Sequence, residues 1–399
     1  MAKEIDHRQE RKLLHLVFFI FGFGIMAWVP RFPELKAHLG LNNGAFGSLL
    51  SMGAFGAFFG LLTVGHMVHK FGALKVSLFS FMVLFGSLAA IVNVKSGFIF
   101  LIINILLGFG VTATHVSLNS QGFHFLDRSK IDLITSTAGY WSAGALATSI
   151  FSGFLVGRLD LVTHITFLAL LCFITMSMIV IQMRPVLLVS NRGTEQDYTI
   201  KEIFTGFRID WPVSLGMVSV IYLEFAIGDW GTIFTKERLG VSGGLSTAPF
   251  IVFTAMMIIG RLMVHRLKKR TSIDLLVRRA ALLAGIGFGI PIIIATLLPG
   301  EAQWWSYALF LLSFALAGLG SSFVGPAFFS AAIRRSPLPS AVVVGQLGAA
   351  NNVITFIVKW IVAWTIQFTG SMALAMMIPT VMMLAGIYFV YVLKEDSKA

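Results

Sequence analysis

The sequence predicts an all-α membrane protein in which twelve transmembrane helices form two pseudo-symmetric six-helix bundles. Three observations predict it. The 399-residue chain is 57% hydrophobic and only 12% charged, far from the balance of a soluble domain. Its apolar residues fall in runs of roughly 20, long enough to cross a bilayer as helices, without the alternation of membrane-barrel strands. The second half also echoes the first. Gly65-His-Met-Val-His-Lys-Phe-Gly-Ala-Leu-Lys75 is echoed by Gly260-Arg-Leu-Met-Val-His-Arg-Leu-Lys-Lys-Arg270, and Leu39-Gly40-Leu41 by Leu239-Gly240-Val241.

The runs place helices near 13–33, 44–68, 73–93, 98–121, 133–157, 162–183, 212–232, 244–266, 276–298, 304–330, 340–367 and 371–393. A polar stretch, Arg184–Asp210, divides the chain into an N-terminal half, 1–183, and a C-terminal half, 211–399. Its Ser-Asn-Arg-Gly segment has turn and linker chemistry, and an amphipathic surface helix is possible near Ile200–Phe207. The net charge of +12 invites a nucleic-acid reading, but its distribution opposes one. With the amino terminus inside, 23 of the 30 Lys and Arg residues fall in cytoplasmic segments and 6 in outer ones, and Lys359 lies within a span. Basic bias of this kind sets orientation, so both termini and the linker are expected in the cytoplasm. The single cysteine, Cys172, permits no disulfide within the chain and suggests no metal site. The first apolar run lacks a clear small-residue cleavage site and reads as a retained helix.

Residues 1–12 read as a short polar arm. The first helix ends in Trp28-Val-Pro-Arg31-Phe-Pro33, where proline ends or bends it. Trp28 and Arg31 are either interfacial anchors with their stems in lipid or members of an outer gate. Asp229 holds a loosely corresponding place in the other half, and an approach of Arg31 to Asp229 is the expected closure of that gate. In the second helix Gly53, Gly56 and Gly60 suit close backbone packing. The Gly65–Lys75 stretch then reads as a tight basic loop.

In the fourth helix Thr112, His115 and Asn119 form one stripe, with Gln121 at the inner end. Polar groups at membrane depth face protein or water, so His115 and Asn119 either bond between helices or line a cavity. The fifth helix carries Tyr140 and Trp141 within Gly139-Tyr-Trp-Ser-Ala-Gly144. The seventh carries Glu224, with Asp229-Trp230 nearer its outer end. Intramembrane acids are functional candidates by default, and these two are the proton-coupling candidates. The tenth helix, with Gly318, Gly320, Ser321, Ser322, Gly325 and Pro326, invites a break where it lines a cavity. The eleventh carries Asn351, Asn352 and Lys359. Asn352 and Lys359 share a face, and Lys359 either snorkels or faces a water-filled cavity.

Gly65, Met67, Val68, Lys70, Gly72 and Lys75 resemble the signature between helices two and three of the major facilitator superfamily. That signature has an acid where His69 stands, so the usual acid-based latch does not transfer. Trp28–Pro33, Asn119-Ser-Gln121-Gly122, the Gly139–Gly144 segment and Glu224 with Asp229-Trp230 resemble its YbjJ-like, fucose-permease-related branch. That branch has a His where Ala138 stands, and its role does not transfer either. In the echoed loop, His265-Arg266 matches His69-Lys70.

The expected substrate-binding cavity is drawn from His115, Asn119, Tyr140, Trp141, Asn351, Asn352 and Lys359. A site between pseudo-symmetric halves can open alternately to either side. No nucleotide-binding P-loop is present, so an ion gradient or the solute's own gradient supplies the energy. A carboxylate in apolar surroundings can exchange protons, and Glu224 is the first candidate, with Lys359 as a partner if the two approach. The expected function is secondary transport of a small organic solute, sugar-like or another polar metabolite, linked to protons. Efflux of drugs or metabolites and passive uniport are alternatives. A membrane-embedded enzyme is disfavoured, because neither a His-Glu-x-x-His nor a Gly-x-Ser-x-Gly motif occurs. A receptor or scaffold is a further class. No cofactor, metal or nucleic acid is implied. A monomer in the inner membrane is expected.

Overall fold

The computed structural model describes residues 6–131, 133–189, 209–336 and 340–394, and its elements are helical throughout. The expected helix near 200–207 lies outside the described residues. In chain order the α-helices are α1 (His7–Met26), α2 (Phe32–Leu39), α3 (Asn43–Ser51), α4 (Gly53–Phe71), α5 (Ala73–Asn93), α6 (Gly97–Ser129), α7 (Ile134–Leu155) and α8 (Leu161–Gln182). Past the linker come α9 (Trp211–Leu239), α10 (Ala248–Lys268), α11 (Ile273–Leu297), α12 (Gln303–Ser321), α13 (Val324–Arg335), α14 (Ser340–Thr369) and α15 (Met372–Ala385). A 3-10 segment, Gly386–Leu393, completes the last crossing.

Three crossings are composite. Pro30 and Pro33 sit at the joints of α1, a 3-10 turn (Val29–Arg31) and α2, so the first crossing bends and continues to Leu39. This extends the expected first span, because proline at the first positions of a helix is compatible with restarting it. The second crossing joins α3 to α4 at Met52. The tenth breaks between α12 and α13, where its glycines, serines and proline cluster.

Among the described residues, eleven crossings are long and apolar enough to span a membrane. The twelfth, α7, has more hydroxyl residues, and the structure buries Thr137, Ser142, Thr148, Ser149 and Ser152 against its neighbours. Ser142 and Ser149 donate to carbonyls one turn back, those of Ala138 and Ala145. A polar helix is stable here because protein covers that face.

Helix ends follow local chemistry. Asp6, Asn42, Asp160, Asp210 and Ser371 accept backbone N–H bonds as N-caps, satisfying donors that have no partner in the first turn. The Asp160 carboxyl, in the loop before α8, is held below the usual carboxylate range by the Thr163 N–H it accepts. The Leu39-Gly40 and Leu239-Gly240 echoes prove to be equivalent stops, with Gly40 and Gly240 left-handed at φ 62° and 63°. Glycine enters that region without a Cβ penalty.

The basic loop expected over Gly65–Lys75 is instead helix almost throughout. Helix α4 runs to Phe71 and α5 begins at Ala73, leaving Gly72 alone, at φ 81°, to turn the chain. Nothing between Gly65 and Phe71 breaks a helix, so only the final glycine punctuates it. Likewise, α10 runs through Gly260–Lys268.

Within the first half α1 packs on α7 and α4 on α6; within the second, α10 and α11 pack on α12. Close approach is enforced by small residues. A Cβ on Gly56 would lie 1.8 Å from the Ile105 carbonyl oxygen, so α4 and α6 touch backbone to backbone. After an even number of crossings both chain ends lie at one end of the bundle, here termed the terminal face. The opposite end is the distal face.

The halves meet chiefly at the distal face. Lys36 pairs with Glu237 at 2.5 Å, Trp364 Nε1 donates to Ser48 Oγ at 3.0 Å, Gly44 N donates to Gln367 Oε1 at 3.2 Å, and Thr232 Oγ1 donates to the Val29 carbonyl at 3.4 Å. Helix α3 packs along α14 at the same end. The conformer is therefore closed at its distal face.

Candidate functional site

Four charged side chains of the second half lie within its crossings, Asp229 and Lys359 shielded and Glu224 and Arg261 about a third exposed. Glu224 and Asp229 are five residues apart on α9. At 3.6 residues per turn they point about 140° apart, so each meets a different neighbour. Asp229 Oδ2 lies 2.7 Å from Lys359 Nζ of α14, with the side chains 15% and 18% exposed. The ammonium also lies 5.4 Å from the Phe225 ring centre, within cation–π range. Glu224 Oε1 lies 4.0 Å from a guanidinium nitrogen of Arg261 on α10. Lys359 thus partners Asp229 rather than Glu224, because of the angular offset along α9.

Arg261 is the residue that the sequence reading missed. It falls within the expected helix 244–266 but sits in the basic echo Gly260–Arg270, whose charges the sequence assigns to the cytoplasmic side as a group. Helix α10 runs to Lys268 and puts Arg261 about two turns inside it. Its Nε donates to the Ser322 carbonyl at 3.1 Å, at the break between α12 and α13. A helix break exposes carbonyls that need a donor, and Arg261 supplies one. A second nitrogen donates to Ser142 Oγ of α7 at 2.9 Å, which crosses between the halves.

Trp141, which precedes Ser142 on α7, belongs to an aromatic group within the first half. His115 packs edge-on to Phe21 (4.9 Å between ring centres) and tilted to Trp141 (6.2 Å). Asn119 Nδ2 lies 3.5 Å from His115 Nδ1. Tyr140, 45% exposed, stacks on His15 of α1 at 4.3 Å, and His15 Nε2 lies 2.8 Å from Ser136 Oγ. His15 was also not anticipated, because it stands alone at the start of an apolar run. The Trp141 indole N–H is buried with no acceptor among the described residues.

The two asparagines separate. Asn351 Oδ1 accepts from Ser214 Oγ at 2.6 Å, a buried link between α14 and α9. Asn352 is half-buried on the next face, the one that carries Lys359.

At the distal face Arg31 is 1% exposed, which rules out an anchor with its stem in lipid. It bonds Glu34, donates to the Leu159 carbonyl at 2.7 Å and lies 3.1 Å from His164 Nδ1. Trp28 is buried edge-on against Phe32 and is not a belt residue. The distal end is closed, yet Arg31 is satisfied within its own half and Asp229 by Lys359. The expected Arg31–Asp229 contact is replaced by Lys36–Glu237, about two turns further along α9.

The loop-motif residues lie at the terminal face. His69, Lys70, Lys75 and Arg266 are exposed, and Gly65 has open space beside it. Lys70 Nζ lies 5.6 Å from the Phe71 ring. The His265 side chain lies outside the described residues. The Ala73 N–H, next to Gly72, donates to the Leu188 carbonyl at 3.0 Å. Leu188 N in turn donates to Gln121, which with Arg128 bonds a fully buried Glu10. Gln121 is thus structural, and Glu10 belongs to the bundle rather than to a solvated arm.

Twelve crossings in two halves, with ion pairs between crossings of the second half and a polar junction between the halves, define a polytopic transporter. The chain belongs to the Major Facilitator Superfamily, whose family model matches residues 14–359. It is 26% identical over 338 residues to an uncharacterized MFS-type transporter of Yersinia pestis, covering 83% of this chain and 82% of that one. In fold it resembles a D-xylose-proton symporter (TM-score 0.73, 15% identity, 98% of each chain). It also resembles the nucleoside transporter NupG (TM-score 0.71, 12% identity, 96% of this chain and 97% of that one).

Proposed function

We propose that this transporter is a proton-coupled secondary carrier of a small polar solute, sugar-like or nucleoside-like, working by alternating access in the inner membrane. The observation that carries the reading is the Ser142–Arg261–Glu224 chain, which joins a titratable acid in one half to a hydroxyl in the other. In this reading Glu224 is the proton carrier and Arg261 its counter-charge. Protonation of Glu224 removes one attraction on Arg261 and alters its hold on Ser142 and the α12–α13 break. Asp229–Lys359 acts as a second charge pair on the wall of the path. His115, Asn119, Tyr140, Trp141 and Asn352 supply hydrogen bonds and aromatic surface to the solute. The likeness in fold to a D-xylose-proton symporter and a nucleoside transporter supports a hydroxyl-rich solute, as does this mixed aromatic and amide wall.

The moving bodies are residues 1–183 and 211–399, joined by 184–210, in a monomer with both termini in the cytoplasm. The terminal face is then the cytoplasmic one, and the described conformer is closed to the outside. A cysteine placed at position 195 should escape a membrane-impermeant thiol reagent in intact cells.

The direct test is reconstitution. Purified protein in liposomes is offered a panel of labelled sugars, polyols and nucleosides, with and without an imposed pH gradient. The reading requires at least one solute to accumulate with the gradient and to exchange without it. Flux of every solute at the rate of protein-free liposomes would overturn it, and gradient-independent flux would leave a uniporter.

A further inference from the structure

A cleft of about 550 Å³ opens at the terminal face between the ends of α10, α11 and α13. It lies wholly in the second half and apart from the Glu224 and Asp229 pairs. Lys268, Arg334 and Lys394 line it, and Asp274 is the acid on its wall, while Phe323 and Pro326 are among its apolar residues. Lys268 is the last residue of α10, Asp274 stands in the first turn of α11, and Arg334 stands in the last turn of α13. Lys394 directly follows the final 3-10 segment. The charged residues thus sit at the ends of the apolar crossings, where a bilayer's headgroups would meet them.

We propose that this cleft binds the phosphate of an anionic phospholipid headgroup. Three cations against one acid leave an excess of two positive charges; a phosphodiester, a monoanion, answers one and leaves the site still attractive to an anionic headgroup. All three cations are exposed. Arg334 also donates to the Leu393 carbonyl at 3.5 Å and Lys394 is electrostatically paired with Asp274, so Lys268 and the rest of the Arg334 fork are the charge left for a ligand. The apolar wall beside them suits the glycerol and first methylenes of an amphiphile. Basic pockets between membrane helices hold anionic headgroups through this combination of charge and depth. Arg334 offers a planar fork to the phosphate, and the lysines act as point charges. The helix ends that form the cleft all belong to the second half, so an occupied cleft moves with that half.

The test uses the full-length protein in detergent with added lipid, read by native mass spectrometry. Phosphatidylglycerol should be retained at least about tenfold more than phosphatidylcholine, as expected for several cations near one headgroup. The triple variant Lys268→Gln, Arg334→Gln, Lys394→Gln should lose that preference. Arg334→Lys, which keeps the charge, should retain most of it, and so should Lys95→Gln at the distal face. An unchanged phosphatidylglycerol preference in the triple variant would overturn the proposal, as would equal retention of the two lipids by the unaltered protein. If millimolar inorganic phosphate displaces phosphatidylglycerol from the unaltered protein but not residual lipid from the triple variant, the phosphate site stands and a soluble phosphate is its source.

Discussion

Lys359 Nζ lies 2.7 Å from Asp229 Oδ2, while Glu224, five residues earlier on the same helix, faces Arg261 instead. The α-helix repeat separates the two acids by angle, so the second half carries two independent charge pairs rather than one shared cluster. Each pair joins α9 to a different neighbour.

The first pair should show the signature of a shielded ion pair. Removing one partner leaves a charge at membrane depth without compensation and costs about 3–5 kcal/mol. Asp229→Asn and Lys359→Gln should each lower the thermal unfolding midpoint in detergent. The double variant should recover most of the loss, because two neutral amides can bond each other. A double variant less stable than either single one would show that the two side chains do not act as a pair.

Arg31 and Asp229 should behave independently. Sequence reasoning placed them at matching distal positions and suggested a gate. The structure gives Arg31 to Glu34, Leu159 and His164, and gives Asp229 to Lys359. Sites with no shared partner add within about 0.3–0.5 kcal/mol. Charge reversal at both should therefore rescue nothing that either reversal loses. Coupling above about 1 kcal/mol in a double-mutant cycle would restore the gate pair.

Ser142→Ala should shift the conformational balance without unfolding the protein. It removes a hydrogen bond from a guanidinium across the halves. Bonds to charged groups contribute about 1.5–3 kcal/mol, equivalent to about ten- to a hundredfold in a two-state population. Alkylation of a cysteine in the distal closure, such as Ser48→Cys, should become faster in the Ser142→Ala background. Unchanged alkylation would mean that the bond does not hold this conformer.

Packing makes its own prediction. Gly56→Ala would drive a Cβ to 1.8 Å from the Ile105 carbonyl oxygen, whereas Gly122 has no neighbour within 4 Å of its Cβ position. Gly56→Ala should reduce the yield of monodisperse protein severely. Gly122→Ala should be tolerated and should raise helix stability, by up to about 1 kcal/mol. Equal behaviour of the two in size-exclusion chromatography and melting would contradict the α4–α6 contact.

The fold was legible in the sequence because the bilayer imposes one rule on every crossing, and apolar runs obey it without reference to partners. The Leu-Gly echoes were visible, and their meaning as helix stops needed only φ at Gly40 and Gly240. The interior charges Glu224, Asp229 and Lys359 stood out singly against apolar surroundings. Their pairing did not, because it depends on which helix lies beside α9. Arg261 was hidden by its basic neighbours, which made its charge read as part of the cytoplasmic cluster rather than as an interior partner of Glu224. Glu10 was hidden in the same way, in a polar arm that the structure folds under Arg128 and Gln121.

The central claim is that Glu224 carries the coupling proton while Arg261 reports its state to the other half. Glu224→Gln keeps the shape and cannot titrate. The decisive measurement pairs pH-gradient-driven accumulation with equal-pH counterflow in the same proteoliposomes, using a solute that the reconstitution panel identifies. The account predicts that Glu224→Gln abolishes accumulation and retains counterflow. Accumulation at the level of the unaltered protein would contradict it.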